Sequence, residues 1–461
     1  MSEELIEDIR LRLDALSIYD IRQVAREVGV PQPTEGKKER LLTYIVDIAT
    51  GTKDPEKRSP KGARPKSSSY DRNLVSDILK CREMYLLGEE AERDNTPFIM
   101  TVSSGSDPLN FNGEGLLEKS GEKWFIRAAG NNGDLIEVVV HDKFISDYYL
   151  REGDIVCGQC KRKTLEELAG LVSIISVNGG SVSKLKLRPQ FDSLTPAYPD
   201  KQLKISCGEH DTTGRIIDLF SPVGKGQRAF ITGARSTGKT YLLKTIAQGI
   251  QTNNPEVKLI FTLIDARPEE AADFRMTFPE TDVFTSSFDA GYAGHVRTAK
   301  LALEYAKRRV EGGEDVVLLL DDIVRLTRSY NMCNKQFISA IDSSAIASVK
   351  KYLAAAKNTV SGGSLTIVAT LGTGGGEDEN AVFAALKDLC NMRIALSLEL
   401  SRAHVRPAFD LQETYAVHEE KLLNSEQLKI AVSLRTKDIR EIIKILESTG
   451  SDKQLYKMLF D

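Results

Sequence analysis

No apolar run in this chain approaches the roughly 18 residues that an α-helix needs to cross a bilayer, which excludes insertion through a membrane-spanning helix. An excess of positive charge is also missing. Lys plus Arg number 62 against 66 Asp plus Glu, a formal net charge of −4, so any affinity for nucleic acid must reside in local patches. Cysteine is sparse: six residues (81, 157, 160, 207, 333 and 390) scattered over 461 exclude a disulfide framework. Only Cys157 and Cys160 are closely spaced. They fall in GDIVCGQCKRK, which reads as a strand, where residues three apart face opposite sides, and no second Cys or His pair lies nearby to complete a zinc site. Reduced thiols in a cytoplasmic protein are the expectation. The first residues, MSEELIEDIR, point the same way, being acidic where a signal peptide would be basic and then apolar.

What is present is the composition of a soluble globular chain, 41% hydrophobic and 28% charged, long enough for about three domains. Residues 1–50 read as a helical subdomain, with apolar positions Leu5, Ile9, Leu11, Leu13 and Leu16, then Ile21, Val24, Ala25 and Val28 at helical spacing. Gly29, Pro31 and Pro33 stop that pattern and KKERLLTYIVDIATG restarts it. Residues 51–97 read as a basic disordered linker, GTKDPEKRSPKGARPKSSSY, followed by one more helix. From 98 to 180 the period shifts to two. The stretches GLLEKSGEKWFIRAA, DLIEVVVHD, GDIVCGQCKRK and GLVSIISVN read as short strands of a small barrel of the oligonucleotide-binding or cold-shock type. Beyond 188 strands (RAFIT, KLIFTLID, VVLLLDD, LTIVATL, MRIALSLEL) alternate with helices, which predicts an α/β domain with a parallel sheet over 188–461.

The sharpest motif is GARSTGKT, Gly233 to Thr240, set between the strand RAFIT and the apolar-faced helix YLLKTIAQGI. Backbone amides of such a loop, met by the positive end of the helix, cradle a polyphosphate. Lys239 would reach the β- and γ-phosphates of ATP and Thr240 would ligate Mg²⁺, with Gly233, Gly238 and Tyr241 completing the nucleotide-binding stretch. The strand VVLLLDDI ends in acids, so Asp321 is placed to hold the Mg²⁺ shell at the carboxyl end of the sheet.

Longer stretches carry a family likeness: RPQFDSLTPAYPDKQL (188–203), GRIIDLFSPVGKGQRAFI (214–231), LIDARPEE (263–270), HVRTAKLALEYAKRRVEGGEDVVLLLDDIVRLTRSYN (295–331) and GGSLTIVAT (362–370). In these the chain resembles the Rho transcription termination factor family. The resemblance implies a RecA-like P-loop ATPase domain, a homohexameric ring, single-stranded RNA on the barrel and RNA polymerase as a partner. It places Asp265 with Lys239 and Asp321 among the catalytic residues, and Arg267, Arg325 and Arg328 near the subunit interface. On the barrel it points to Phe125 and Arg127 of WFIRAA for base stacking and backbone contact, and Lys335 is left as the basic residue facing the pore.

Departures from the family pattern fall on chemistry. Where the family has a water-activating Glu after the Asp of its LIDERPEE-like strand, this chain has Ala266, and loss of a general base typically costs about 10²–10⁴ in rate. Ser236 replaces a second phosphate-loop lysine. The stretch that carries the family's arginine finger reads Asp410-Leu411-Gln412-Glu413, leaving Arg402 and Arg406 as substitutes, and Glu269 or Glu270 as a relocated base. The loop GTGGGEDEN has three acids where the family brings a lysine to RNA. The expectation is an RNA-dependent ATPase and ATP-driven RNA translocase or helicase that ends transcription, with hydrolysis impaired. The alternative is a catalytically weak or silent ATP- and RNA-binding relative that regulates or co-assembles with an active Rho.

Overall fold

The structure, a computed structural model, describes residues 109–129, 135–164, 168–334 and 341–461, most of 9–49, a few residues of 74–78 and the strand backbone of 100–101 and 103–107. Two compact units, Met1–Asp94 and Asn95–Asp461, divide the chain.

In the first unit α1 (Ile18–Val28) starts at Ser17, whose hydroxyl accepts the Asp20 N–H, and stops at Gly29 with φ 96°. Ile21, Val24, Ala25 and Val28, the positions that the helical spacing selects, are its buried residues. They share a core with α2 (Lys38–Ala49), Ile9, Leu13, Leu74 and Ile78. The linker and most of the helix expected after it lie outside the described residues.

The second unit opens with a closed five-stranded barrel: β1 (Asn110–Ser120), β2 (Lys123–Ala129), β3 (Leu135–Val140), β4 (Ile155–Lys161) and β5 (Ala169–Val177). Its pairing order is β1-β2-β3-β5-β4 and back to β1, with only β3–β5 parallel. GLLEKSGEKWFIRAA is a hairpin of two strands turning at Gly121, not one strand. Alternation sends Leu117 into the barrel core with Ile126 and Val138, and sends Leu116 outward. Leu116 and Ile155, paired in register, join a core cluster of the domain that follows.

That domain is built on β6 (Arg228–Gly233), β7 (Lys258–Ala266), β8 (Asp282–Ser287), β9 (Val316–Asp321), β10 (Leu365–Gly372), β11 (Met392–Leu396) and β12 (Tyr415–Ala416), in the order β8-β7-β9-β10-β6-β11-β12. Every pairing is parallel except β11–β12. Both faces are covered, so the central strands are mostly apolar. Phe261, Leu263, Val317, Leu319 and Val368 pack on one face, beneath α3 (Lys239–Asn253) and α4 (Pro268–Thr277). Ile260, Ile264, Leu318, Leu320 and Ile367 pack on the other, beneath α5 (Tyr292–Glu311), α6 (Ile323–Asn334) and α7 (Glu377–Leu386). The stretch MRIALSLEL is strand only to Leu396; Ser397 caps a short helix, Leu398–Arg402.

The barrel sits on α5. Gly153, at φ 87°, passes so close that a Cβ there would lie 2.4 Å from the Glu304 carbonyl carbon. Around it Arg297 grips Glu118 (Nη2 to Oε2 2.8 Å), Lys300 meets Glu152 at 2.8 Å and Arg151 meets Glu311 at 2.8 Å.

Candidate nucleotide site and its neighbours

Ligands in parallel sheets bind beyond the carboxyl ends of the strands, and there this chain concentrates its polar residues. β6 ends at Gly233; a tight loop then reaches Gly238, the N-cap of α3, at φ 98°. Space is open where a Gly238 Cβ would stand. Lys239 Nζ donates to the Gly233 and Ala234 carbonyls, both at 2.8 Å, curling back over the loop it would share with a phosphate. Burial lowers the Lys239 pKa, an effect offset in part by Asp322 and Asp321. Thr240 Oγ1 donates to Asp321 Oδ2 at 2.8 Å, and Thr370 Oγ1 to the other carboxylate oxygen at 2.5 Å.

These residues border a cavity of about 500 Å³ that Ser236, Asp265, Ala266, Arg267, Glu270, Asp322, Arg325, Arg328 and Glu379 also line. The open Gly238 position, the amide-rich start of a 15-residue helix and one lysine fit a polyphosphate. The Thr240 hydroxyl beside the Asp321 carboxylate fits the oxygen preference of Mg²⁺. Among the described residues no group of three or more His, Cys, Asp or Glu is arranged to hold a metal, so Mg²⁺ would take its remaining ligands from phosphate and water.

Asp265 occupies the left-handed region at φ 54°, and its carbonyl accepts from the Arg325 guanidinium. Arg325 Nε also lies 3.7 Å from Asp322 and 3.9 Å from Asp265. Asp322 caps α6 by accepting the Arg325 N–H at 2.7 Å; burial, with Asp321 beside it, pushes its pKa up to about 6. Arg328 pairs with Asp378 at 3.1 Å. A second cavity of about 500 Å³ shares Asp265, Arg325 and Arg328 and adds Tyr292, His295 and Asp378.

Residues 214–416 match the ATP synthase alpha/beta family, nucleotide-binding domain. Transcription termination factor Rho of Thermotoga maritima is 35% identical over 477 residues, an alignment that covers 100% of this chain and 98% of that protein. The chain belongs to the Rho transcription termination factor family. The Streptobacillus moniliformis Rho is 35% identical over 333 residues, 70% of this chain and 79% of its own length. The Micrococcus luteus Rho is 38% identical over 339 residues, 70% of this chain but 49% of its own length. The chain thus spans about half the length of the first curated relatives it matches, 49% and 55%.

Within that family assignment the geometry separates the candidates. Lys239, Thr240, Asp265, Arg267, Asp321, Arg325 and Arg328 all line the one cavity, whereas Tyr241 points to solvent, 68% exposed. Ala266 ends β7 against the apolar core with its backbone held by Phe288 N–H, and it presents only a methyl group to the cavity. Glu270 lines the cavity; Glu269 does not. Arg402 and Arg406 are exposed. The short helix that Arg402 ends lies beside its own phosphate loop, where Ser401 Oγ donates to the Ser236 carbonyl at 3.3 Å.

The acids of GTGGGEDEN begin α7, and two of them face the nucleotide cavity, Asp378 paired with Arg328 and Glu379 with Arg235 of the phosphate loop. Asp322, Glu379, Arg235 and Thr370 were not singled out by sequence reasoning. The doublet in VVLLLDDI was a local signal for the first of them, while the other three depend on contacts distant in sequence.

On the barrel, Trp124 packs against the core and Phe125 is directed to the other side of β2. Arg127 shares that outer side but is buried, 8% exposed, 3.6 Å from Glu118 and 3.1 Å from Glu137. Its charge is committed within the protein. Lys335 lies outside the described residues.

Proposed function

We propose that this Rho-family chain binds ATP with Mg²⁺ around Lys239, Thr240 and Asp321, takes single-stranded RNA on its barrel, and acts in transcription termination. It would do so as a homohexameric ring, in the cytoplasm, on RNA polymerase complexes. The observation that carries the reading is the meeting of Lys239, the Thr240–Asp321 hydrogen bond and an open phosphate loop in one cavity of a family member. When bound, Mg²⁺ would neutralise developing phosphate charge. The chain's own part is to hold the phosphates with loop amides and Lys239 and to seat the ion with Thr240 and Asp321.

Hydrolysis is expected to be slow. The methyl group of Ala266 neither accepts a proton nor orients water where the family places a glutamate. That observation favours a second reading, a nucleotide- and RNA-binding ring subunit that regulates or joins an active Rho.

An RNA-stimulated ATPase assay on the full chain tests both readings. ATP binding with turnover far below about 1 s⁻¹, the lower edge of typical enzyme rates, supports slow hydrolysis. Turnover in the ordinary range makes it a working motor, with Glu270 the candidate base. Absence of ATP binding removes the proposal.

A further inference from the structure

Among the phosphate-loop residues that line the cavity, Lys239 is joined by a second cation, Arg235. Arg235 and Ser236 both line the cavity, and Ser236 takes φ 62°, so the loop turns between them. Arg235 Nη2 lies 3.6 Å from Glu379 Oε1. The pair is lopsided: the arginine side chain is 75% exposed and the glutamate side chain 6%. The carboxylate is therefore the fixed partner.

Its seat is built by the loop glycines. Gly375 N–H donates to Glu379 Oε2 at 2.9 Å, and a Cβ on Gly375 would lie 2.4 Å from that oxygen. The other cavity arginines of the helix after β9 are engaged elsewhere, Arg325 with Asp265 and Asp322 and Arg328 with Asp378.

We infer that Arg235 is the residue that specifies a triphosphate in this site, held at the cavity's edge by Glu379 until a γ-phosphate takes the carboxylate's place. The inference rests on the ATP-binding reading above. A pair with one exposed partner is weak, whereas a phosphate offers a guanidinium a bidentate, doubly charged acceptor. A diphosphate ends short of the exchange and leaves Arg235 on Glu379.

Calorimetric titration of the full chain with ATP and with ADP, each with Mg²⁺, tests this. Arg235→Ala is expected to lose about tenfold or more in ATP affinity, the scale of one charge-assisted contact, with ADP affinity changed less than about threefold. Arg235→Lys keeps most of the preference. Glu379→Gln strengthens ATP binding, and in an Arg235→Ala background that gain disappears. An unchanged ATP-to-ADP ratio in Arg235→Ala overturns the inference. So does a Glu379→Gln gain of equal size in both backgrounds, since the carboxylate then acts as bulk negative charge. A wild-type chain that binds neither nucleotide instead defeats the underlying ATP-binding reading.

Discussion

Glu311, at the last turn of α5, fastens the barrel to the α/β domain. Its side chain is 1% exposed and faces Arg151 at 2.8 Å, Arg188 at 3.4 Å and Arg308 at 3.2 Å, while also accepting the Phe191 N–H at 2.8 Å. Glu311→Ala removes the anion and leaves Arg188 and Arg308, both 7% exposed, with Asp154 and Glu304 as their other partners. Breaking a buried ion pair by deleting one partner costs about 3–5 kcal/mol. Asp154 still neutralises Arg188, so the lower end, about 3 kcal/mol, is expected. At about 1.3 °C per kcal/mol for a cooperative unit the size of Asn95–Asp461, from an unfolding entropy of about 2.1 cal/mol/K per residue, Tm falls by about 4 °C. Differential scanning calorimetry of the full chain measures this, and Glu311→Gln, which keeps an acceptor for Phe191 N–H, should lose less. A Glu311→Ala transition within about 1 °C of wild type would refute the reasoning, because the network would then contribute nothing net.

Four further outcomes are expected. Ala266→Glu should raise ATP turnover modestly and Ala266→Glu with Ser236→Lys should raise it more, because catalytic groups act as a unit; a wild-type rate that exceeds both variants contradicts this. Phe125→Ala should weaken single-stranded RNA binding by about 1–3 kcal/mol in filter binding without lowering Tm. Arg127→Ala should instead lower Tm, since it removes the cation that lies between Glu118 and Glu137 in a buried network; a variant that loses RNA affinity at unchanged Tm would reverse that assignment. Burial holds the His295 imidazole, with Nδ1 2.8 Å from Ser286 Oγ and Asp265, Asp289 and Arg325 around it, below its ordinary pKa. The unfolded chain then binds more protons than the folded one as pH falls through about 6.5, so stability drops there, and His295→Gln should flatten Tm between about pH 7 and pH 5.

The candidate phosphate site was legible because its chemistry is local. Glycines, Lys239 and Thr240 lie within one eight-residue motif, and the strand before it and helix after it show their own periodicities. The central parallel strands were legible as mostly apolar runs for the same reason. What needed the fold was pairing at a distance. The edge strands Asp282–Ser287 and Tyr415–Ala416 are short and partly polar, and they are strands because β7 and β11 lie beside them. The turn at Gly121 divides what reads as one strand, since β-hairpin pairing and not composition decides it. Arg127 looks like a surface cation until Glu118 and Glu137 close on it from neighbouring strands. Asp378 and Glu379 look like solvated acids until the chain brings Arg328 and Arg235 to them.

The central claim is that the cavity around Lys239, Thr240 and Asp321 is an ATP site. Titration calorimetry with ATP and Mg²⁺, on the full wild-type chain and on Lys239→Ala, tests it most directly. The account predicts saturable one-to-one binding by the wild type and its loss in the variant, whose loop then lacks the lysine that now reaches the Gly233 and Ala234 carbonyls. Equal ATP affinity in the two proteins would contradict it.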